Sequence, residues 1–459
     1  MNSEVELTAE SIAHGGASIA RLGSGSGQVV FLSGAAPGDR VLAQLSPSAD
    51  PESRYLRAKT LRVLEAGPNR VAAPCPIVDR CGGCPIQHVK YEAQLEAKRA
   101  LTIDALVRTG GIADAAAKVE PIAESPQQFG YRRRARMHRA PDGSWGFAGL
   151  ESATKRLHST ILPVDKCLLF EPKLQELADV IRPAIAELGG IPEATDLGLL
   201  VDSEGRGAID LRTATPPGAR VRHRVEQLVR KIKILRGATV GPLGNPLLIG
   251  EPTLADAPVE LNGGTPFRLR TRPDLFAQAN RSILPVFQSS VLKRLGPAAQ
   301  GRVLELFCGA GSLTLPLLAA GARAVIGVED AGPSLSLLRK SAEEGGLAAA
   351  SDPKGEPRLK LMAGDAAQIT ASLRAVERGR LDAVLLDPPR TGAPAAVRAA
   401  AELQAKRIVY VSCDAPTLGR DAKQLGLAGY RLTSAQPLDL FPQTAHFEVV
   451  ALFERDNHG

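Results

Sequence analysis

Two residues near the carboxyl end of the chain have side chains suited to covalent catalysis. Cys413 follows a short apolar strand and precedes a predicted helix, a position that favours the thiolate and therefore nucleophilic attack. Glu448 stands within an otherwise apolar predicted strand, where a charge is costly unless it is paired or functional. Each residue alone has an ordinary interpretation, since a lone cysteine is more often packing. Whether Cys413 and Glu448 are catalytic depends on the ligand that the surrounding residues bind.

A glycine turn indicates that this ligand contains adenosine. Residues 304–312 lead a predicted strand directly into the Gly-x-Gly turn of Gly309 and Gly311, which lets the backbone approach a ligand closely. Glu329 ends the next predicted strand, 18 residues after Gly311, where a carboxylate can accept hydrogen bonds from two ribose hydroxyls. The third glycine of the dinucleotide fingerprint is missing, which disfavours NAD and fits S-adenosylmethionine. The alternative is a structural turn with a surface glutamate.

Asp387 is a third candidate, because two prolines follow it directly after an apolar run. Proline cannot extend a central strand, so the chain leaves the sheet there and presents Asp387 at the edge. Similar turns occur in enzymes that methylate exocyclic amines, but those usually have an aromatic residue where this chain has Arg390. A plain turn at the end of a strand is the alternative interpretation.

Four of the six cysteines form a candidate metal site. Cys75, Cys81 and Cys84 have the spacing C-x5-C-x2-C, and Cys167 completes the set. Disulfides are rare in cytosolic proteins, whereas four thiolates suit tetrahedral zinc or an iron–sulfur cluster. Zinc ribbons usually combine two C-x2-C pairs, and this chain has one, so the spacing favours [4Fe–4S], with zinc as the alternative.

The patterning around these residues predicts an α/β fold in three parts. Residues 1–64 contain short alternating segments between glycine-rich turns, which predict a small antiparallel barrel of the oligonucleotide-binding kind. Residues 65–270 form a mixed α+β part with the cysteine segment and a helix over about 91–110 that could pack on the catalytic part. In residues 271–459 strands alternate with helices, which predicts a Rossmann-like, doubly wound sheet with the candidate residues at its carboxyl edge.

Composition places the chain among ordinary globular proteins. Hydrophobic residues make up 44% and charged residues 23%, which excludes a mainly disordered, collagenous or coiled-coil chain. No apolar run approaches the roughly 18 residues of a membrane span, and the acidic start is unlike a signal peptide, so we expect a cytoplasmic protein without a membrane partner. The net charge of +7 is a mild bias, concentrated in residues 132–139 and 220–236. These basic segments could hold a polyanion or be solvated faces.

These motifs, in this order, resemble the RNA uridine C5-methyltransferases over nearly the whole chain. Residues 37–39 (Pro-Gly-Asp) are close to the signature of the TRAM domain, and Cys413 and Glu448 match the family's nucleophile and its base for the C5 proton. The positions that match its cluster ligands are Cys75, Cys81, Cys84 and Cys167. The residues assigned to S-adenosylmethionine on this basis are Gln278, Phe307, Gly309, Gly311, Ser312, Glu329, Asp365 and Asp387.

The resemblance implies a mechanism and a substrate. The Cys413 thiolate attacks C6 of uracil, C5 accepts a methyl group, Glu448 removes the C5 proton and the cysteine leaves. Barrel and cluster together are typical of the branch that modifies 23S ribosomal RNA; transfer RNA and a non-catalytic RNA-binding relic are the alternatives. We expect a monomer whose basic segments hold the RNA backbone, which neutralising them and measuring salt-dependent binding would test. Asp414 and Ala415 replace the family's usual Asn-Pro, which alters hydrogen bonding beside the nucleophile.

Overall fold

The computed structural model describes residues 4–23, 27–46, 54–150, 160–261, 263–348 and 357–455 of the chain. They form three main sheets that follow one another along the sequence. No helix within these ranges is long and apolar enough to cross a membrane.

The first sheet consists of six strands from the amino-terminal part of the chain. They are β1 (Glu4–Thr8), β2 (Ser11–Ile12), β3 (Ser18–Leu22), β4 (Gln28–Ser33), β5 (Arg40–Leu45) and β6 (Tyr55–Glu65). The order is β1-β5-β6-β4-β3-β2, and β1 also contacts β3, so the sheet curves around a small apolar core. The prediction that all neighbours are antiparallel is wrong at one pair, because β6 is inserted between β5 and β4 and runs parallel to β4.

The second sheet has seven strands in the order β13-β12-β11-β10-β7-β8-β9 and is covered by two helices. The strands are β7 (Arg134–Arg139), β8 (Trp145–Ala148), β9 (Ile161–Pro163), β10 (Ala194–Val201), β11 (Gly207–Thr213), β12 (Leu235–Gly241) and β13 (Leu247–Gly250), and the helices are α3 (Pro172–Glu187) and α4 (Ala219–Lys231). In α4, Val221, Val225 and Leu228 are buried at helical spacing, so the arginines of residues 220–236 face mainly outward.

The third sheet is preceded by the short hairpin of β14 (Leu254–Ala255) and β15 (Arg270–Thr271). Its strands are β16 (Arg302–Leu306), β17 (Ala324–Glu329), β18 (Leu359–Ala363), β19 (Ala383–Leu386), β20 (Arg407–Ser412), β21 (Tyr430–Leu438) and β22 (Glu448–Arg455). The order is β18-β17-β16-β19-β20-β22-β21, with the first five parallel and β22 antiparallel to both of its neighbours. The doubly wound sheet predicted within residues 271–459 is therefore confirmed.

Helices cover both faces of this sheet, which is why β19 and β20 are continuous apolar runs. The helices are α5 (Leu284–Leu295), α6 (Thr314–Ala319), α7 (Gly332–Glu344), α8 (Ala366–Glu377), α9 (Pro394–Glu402) and α10 (Ala415–Leu427), with a 3-10 turn at Gly296–Gln300. On one face α6 and α7 join the core, and on the other face α8, α9 and α10 do so.

The helix that the sequence predicts near residues 91–110 is α1 (Tyr91–Arg108), followed by the short α2 (Ala115–Lys118). α1 packs against α10 and shares its apolar core. The approach is close: a Cβ added at Gly419 would lie 2.4 Å from the Ala105 carbonyl oxygen. A helix from the middle of the chain is thus part of the carboxyl-terminal core.

α1 also makes a buried polar contact with the segment that leads into β22. Lys98 is 1% exposed, and its Nζ lies 2.6 Å from Asp439 Oδ1 and donates to the Phe441 carbonyl oxygen at 3.3 Å. Beside it, Gln94 Nε2 donates to Gln443 Oε1 (3.0 Å), and the Gln443 N–H donates back to Gln94 Oε1 (3.1 Å). These bonds fix the chain between β21 and β22.

Lys98→Met should destabilise the protein strongly, because it leaves the Asp439 carboxylate buried without its partner. We expect the free energy of unfolding to fall by about 3–5 kcal/mol, measured by denaturant or thermal unfolding. Lys118→Met is the matched control, since Lys118 pairs with the largely exposed Asp114 at 2.8 Å and should change stability little. Equal effects of the two substitutions would contradict the importance of the buried pair.

Candidate active site

The candidate ligand residues meet at the carboxyl edge of the third sheet. β16, β17 and β19 end at Leu306, Glu329 and Leu386, and the chain turns there into Phe307 and Asp387. The chain passes from β18 through α8 to β19 on the other side of β16. This reversal of strand order is the switch point at which doubly wound sheets bind ligands.

The turn after β16 has the backbone shape that its glycines allow. Gly309 and Gly311 have φ angles of 53° and 91°, and Phe307 has a φ of 65° although it is not glycine. A Cβ at Gly311 would lie 2.3 Å from Leu338 Cδ1, so both conformation and space require glycine there. The Gly309 N–H donates to Glu329 Oε2 at 3.0 Å, which holds that carboxylate beside the turn.

One pocket joins five of the residues that the sequence assigns to the cofactor. They are Gln278, Phe307, Gly309, Ser312 and Asp387. Glu329 is bonded to this turn and Gly311 packs behind it. The structure therefore brings together residues that are more than 100 positions apart in the chain.

Asp365 lies apart from the lining of this pocket. It follows β18 at the same edge, is exposed, and caps α8 by accepting a hydrogen bond from the Gln368 N–H at 2.9 Å. Its capping role is complete without a ligand. The contact with S-adenosylmethionine assigned to Asp365 by resemblance remains a prediction.

Two arginines of the basic segment 132–139 bond to the loop of residues 275–278, which carries the candidate cofactor residue Gln278. Arg133 is 1% exposed, donates from Nε to the Gln278 carbonyl oxygen at 3.0 Å and pairs with Asp256. Arg134 donates to two further carbonyl oxygens of that loop, at 3.0 and 3.1 Å, and burial lowers its pKa to about 10. The prediction that this segment holds an RNA backbone is wrong for these two arginines, because their guanidinium groups are enclosed and already bonded.

Three carboxyl groups with raised pKa values lie at the sheet edge. Burial raises the pKa of Asp387 to about 7 and that of Glu305 to about 8. Burial, followed by the charge of Asp387, raises the pKa of Glu448 well above its ordinary value. Within the described residues Glu448 Oε2 has no hydrogen-bond partner. Sequence reasoning missed Glu305, which accepts from the Thr314 hydroxyl at 2.7 Å, although it interrupts the apolar strand β16.

Cys413 follows β20 at this edge, next to the amino end of α10. Burial, and then the charges of Glu448, Asp387 and Asp414, raise the pKa of its thiol to about 12, while Arg390 opposes the shift. Asp414 caps α10 by accepting a backbone N–H at 3.0 Å, a bond that an asparagine oxygen would also accept. The replacement of asparagine therefore preserves the cap and adds a negative charge beside the thiol.

Phe276 is a further residue of the site that sequence reasoning missed. It lines the same pocket as Gln278, and its side chain is 71% exposed. A large aromatic ring left in water at the mouth of a pocket can stack on a nucleic-acid base. The signal was available, since this aromatic stands in a segment already singled out for its glutamine.

The four predicted cluster cysteines surround a second pocket, beside the second sheet. Cys75, Cys81, Cys84 and Cys167 all line it, together with Arg132 and several apolar side chains. All six cysteines of the chain are free, and burial raises the pKa of Cys84 to about 12. In the described ranges no group of three or more His, Cys, Asp or Glu side chains is arranged to hold a metal ion.

Comparison with known proteins identifies the family to which this chain belongs. A family model described as tRNA (uracil-5-)-methyltransferase matches residues 259–456. The 23S rRNA (uracil(1939)-C(5))-methyltransferase RlmD of Pseudomonas putida is 34% identical over 459 residues, which cover 98% of this chain and 93% of that protein. The chain belongs to the family of RNA uracil-C5 methyltransferases. This methyltransferase uses S-adenosylmethionine to methylate C5 of uridine in RNA.

Other relatives extend over the same length. An RNA methyltransferase of Gloeobacter violaceus, described as uncharacterized, is 32% identical and covers 98% of this chain and 96% of its own. The crystal structure of the Pyrococcus abyssi tRNA (uracil-54, C5)-methyltransferase with S-adenosyl-L-homocysteine superposes with a TM-score of 0.70 at 19% identity. The superposition covers 98% of the present chain and 99% of the Pyrococcus abyssi chain, so the fold is shared throughout.

Gly311→Ala should weaken binding of S-adenosylhomocysteine by about tenfold or more, because the added methyl group meets Leu338 and strains a left-handed backbone. Titration calorimetry with the purified protein measures this. Gly321→Ala is the control, since Gly321 has a similar φ of 94° but nothing within 4 Å of an added Cβ. Unchanged affinity for Gly311→Ala would remove this turn from the cofactor site.

Proposed function

We propose that this methyltransferase acts on 23S ribosomal RNA. The observation that supports this is the similarity to the RlmD enzymes, which spans 98% of the chain and so includes the first sheet and the cysteine segment. Both lie outside the residues matched by the family model. Transfer RNA is the second candidate substrate, because the Pyrococcus abyssi enzyme, which shares the whole fold, is a tRNA methyltransferase.

S-adenosylmethionine supplies an electrophilic methyl group when bound, and we assign it to the pocket after β16. Gly309 and Gly311 let the backbone approach it closely, and Glu329, which the Gly309 N–H holds beside the turn, is our candidate for the ribose hydroxyls. Asp387 lies at the junction between this pocket and Cys413. The full set of proposed contacts is Gln278, Phe307, Gly309, Gly311, Ser312, Glu329, Asp365 and Asp387.

The buried carboxyl groups at this edge of the sheet fit a cationic ligand. Burial raises the pKa values of Asp387 and Glu448, so both carboxyl groups resist ionisation in the free protein. A positive charge placed beside them favours the carboxylate forms. Binding of a sulfonium compound would therefore help to convert Glu448 into the base that the reaction needs.

Cys413 and Glu448 carry the chemistry in this proposal. The Cys413 sulfur bonds to C6 of uracil, which makes C5 electron-rich enough to accept the methyl group. Glu448 then takes the proton from C5, and the electron pair of that C–H bond restores the ring double bond as the thiolate leaves C6. Uracil C5 is too weak a nucleophile without this addition, so the covalent step divides one hard reaction into easier ones.

The target uridine must leave its stack to reach Cys413, and exposed parts of the chain offer contacts for the RNA around it. Phe276 could stack on a base beside the pocket. The curved first sheet is our candidate for a TRAM-type RNA-binding barrel. On the second sheet, α4 and the turn after it expose the basic residues Arg220, Arg230 and Lys233, which suits phosphate contacts.

We assign a [4Fe–4S] cluster to the pocket of the four cysteines, with zinc as the alternative. All four sulfur-bearing side chains line one pocket together with several apolar side chains, which suits a cluster held by thiolates. Arg132 also lines it, and its buried Nε has no hydrogen-bond partner in the described part of the chain. A positive group in that position would stabilise four thiolates and an anionic cluster. The cluster has a structural role in this proposal, and no step of the reaction uses it.

Labelled methyl transfer to unmodified transcripts tests the substrate. With 23S rRNA and labelled S-adenosylmethionine we expect label in 5-methyluridine, measured by nucleoside analysis. Cys413→Ala should abolish it, because no C6 adduct forms. Glu448→Gln should transfer one methyl group and remain covalently attached to the RNA on denaturing gels, because the C5 proton stays in place.

The results of this assay distinguish the two candidate RNA substrates and test the covalent mechanism. Label found in tRNA alone would keep the mechanism and replace the substrate. Full activity of Cys413→Ala would overturn the covalent mechanism, and the absence of label in both RNAs from folded protein would contradict the proposed function.

Iron and sulfide analysis of anaerobically purified protein tests the cluster. We expect four of each per chain with visible absorption, and Cys84→Ser should lose most of both, since one thiolate ligand is removed. Cys308→Ala is the control, because Cys308 lies at the other pocket. The Cys308→Ala protein should keep its iron. Zinc in place of iron would select the alternative, and neither metal would contradict the assignment.

A further inference from the structure

The turn between β2 and β3 of the first sheet contacts the catalytic part of the chain. It is tight, since the Ala13 N–H donates to the Ala17 carbonyl oxygen at 2.7 Å. At its tip Gly16 has a φ of 90°, and a Cβ there would lie 3.3 Å from Ala445 Cβ. Ala445 stands three residues before Glu448, so this turn packs beside the segment that presents the base.

The same turn reaches the nucleophile's helix through His14. Its Nε2 lies 3.2 Å from Asp414 Oδ2, and Asp414 is only 12% exposed. The other oxygen of Asp414 is the cap of α10, accepting from the Thr417 N–H at 3.0 Å. One carboxylate therefore joins the first sheet to the helix that begins directly after Cys413.

Arg390 is a second basic side chain that approaches the Asp414 carboxylate. Its Nε lies 3.7 Å from the Asp414 oxygen that His14 approaches, and the Thr417 hydroxyl donates to the Arg390 carbonyl oxygen at 3.2 Å. The turn after β19 and the start of α10 are thus bonded together around Asp414. An asparagine at position 414 could cap the helix, but its amide would carry no charge to pair with His14 or Arg390.

The charge of Asp414 acts directly on the nucleophile. Burial and the charges of Glu448 and Asp387 raise the pKa of the Cys413 thiol most, and the charge of Asp414 raises it further. The cation Arg390 opposes this shift. A donor that pairs with the Asp414 carboxylate reduces its repulsion of the thiolate. His14 is placed to do this from outside the catalytic part of the chain.

We propose that His14 is a positioning residue for methyl transfer: by pairing with Asp414, the first sheet fixes the start of α10 and offsets the carboxylate beside Cys413. This inference rests on the proposed role of Cys413 as the nucleophile. It assigns the first sheet a part in activating the thiol that is separate from any contact with RNA.

Alkylation of Cys413 by iodoacetamide tests the inference without RNA or methyl donor. The rate is followed at the Cys413 peptide by mass spectrometry at one pH in the full-length protein. His14→Ala should slow it about three- to tenfold, since the thiolate fraction falls when Asp414 loses its partner. Asp414→Asn should speed it, because the neighbouring negative charge is gone.

The double variant is the sharpest comparison. Adding His14→Ala to Asp414→Asn should change the rate little, because no carboxylate remains to be paired. His138→Ala is the matched control: it breaks another histidine–aspartate pair, with Asp196 at 2.8 Å in the second sheet, and should leave Cys413 reactivity unchanged. The same slowing in the Asp414→Asn background, or no slowing in the single variant, would overturn the inference.

Steady-state kinetics distinguish positioning from RNA contact. His14→Ala should lower kcat with little change in KM for RNA, and His14→Gln, which keeps a donor at the same reach, should recover part of the loss. A raised KM with unchanged kcat would mean that His14 binds RNA instead. Since alkylation requires no methyl transfer, this result stands apart from the test of the proposed function, in which Cys413→Ala decides the role of the thiol.

Discussion

A buried ion pair between Lys98 and Asp439 joins parts of the chain that are 341 positions apart. An ammonium group and a carboxylate inside a protein are stable only together, because removing one leaves the other without water or partner. This pair ties α1 to the segment that enters β22, and the two bonds between Gln94 and Gln443 fix the same segment. The location of Glu448, and with it the chemistry at the sheet edge, depends on a helix from another part of the chain.

The two candidate sites have opposite electrostatic characters. At the edge of the third sheet, Asp387, Glu305 and Glu448 are buried close together, so their pKa values rise and a cation is favoured. The lining of the cysteine pocket includes the cations Arg132 and Lys166, which favour thiolates and an anionic cluster. Each arrangement suits the ligand proposed for it, and neither ligand would be stabilised in the place of the other.

Local patterns predicted β16, β17, β19 and β20 of the third sheet, α1 and the glycine turn, because each depends on residues close in sequence. Burial of charge was not predictable in this way. Arg133 and Arg134 belong to a basic run that resembles an exposed face, and only the fold shows that they bond to the loop of residues 275–278. The pairing of His14 with Asp414 joins positions 400 apart, and no local rule connects them. The parallel position of β6 beside β4 is likewise a property of the whole sheet.

Arg133 braces the loop of residues 275–278 from outside the third sheet, which limits the modularity of the chain. Gln278 is held by an arginine of the second sheet, and the segment before Glu448 is held by α1. A fragment consisting of residues 271–459 alone would contain every proposed catalytic side chain yet lack these supports. The amino-terminal and catalytic parts are therefore not interchangeable cassettes, because internal contacts between them hold the segments that carry Gln278 and Glu448.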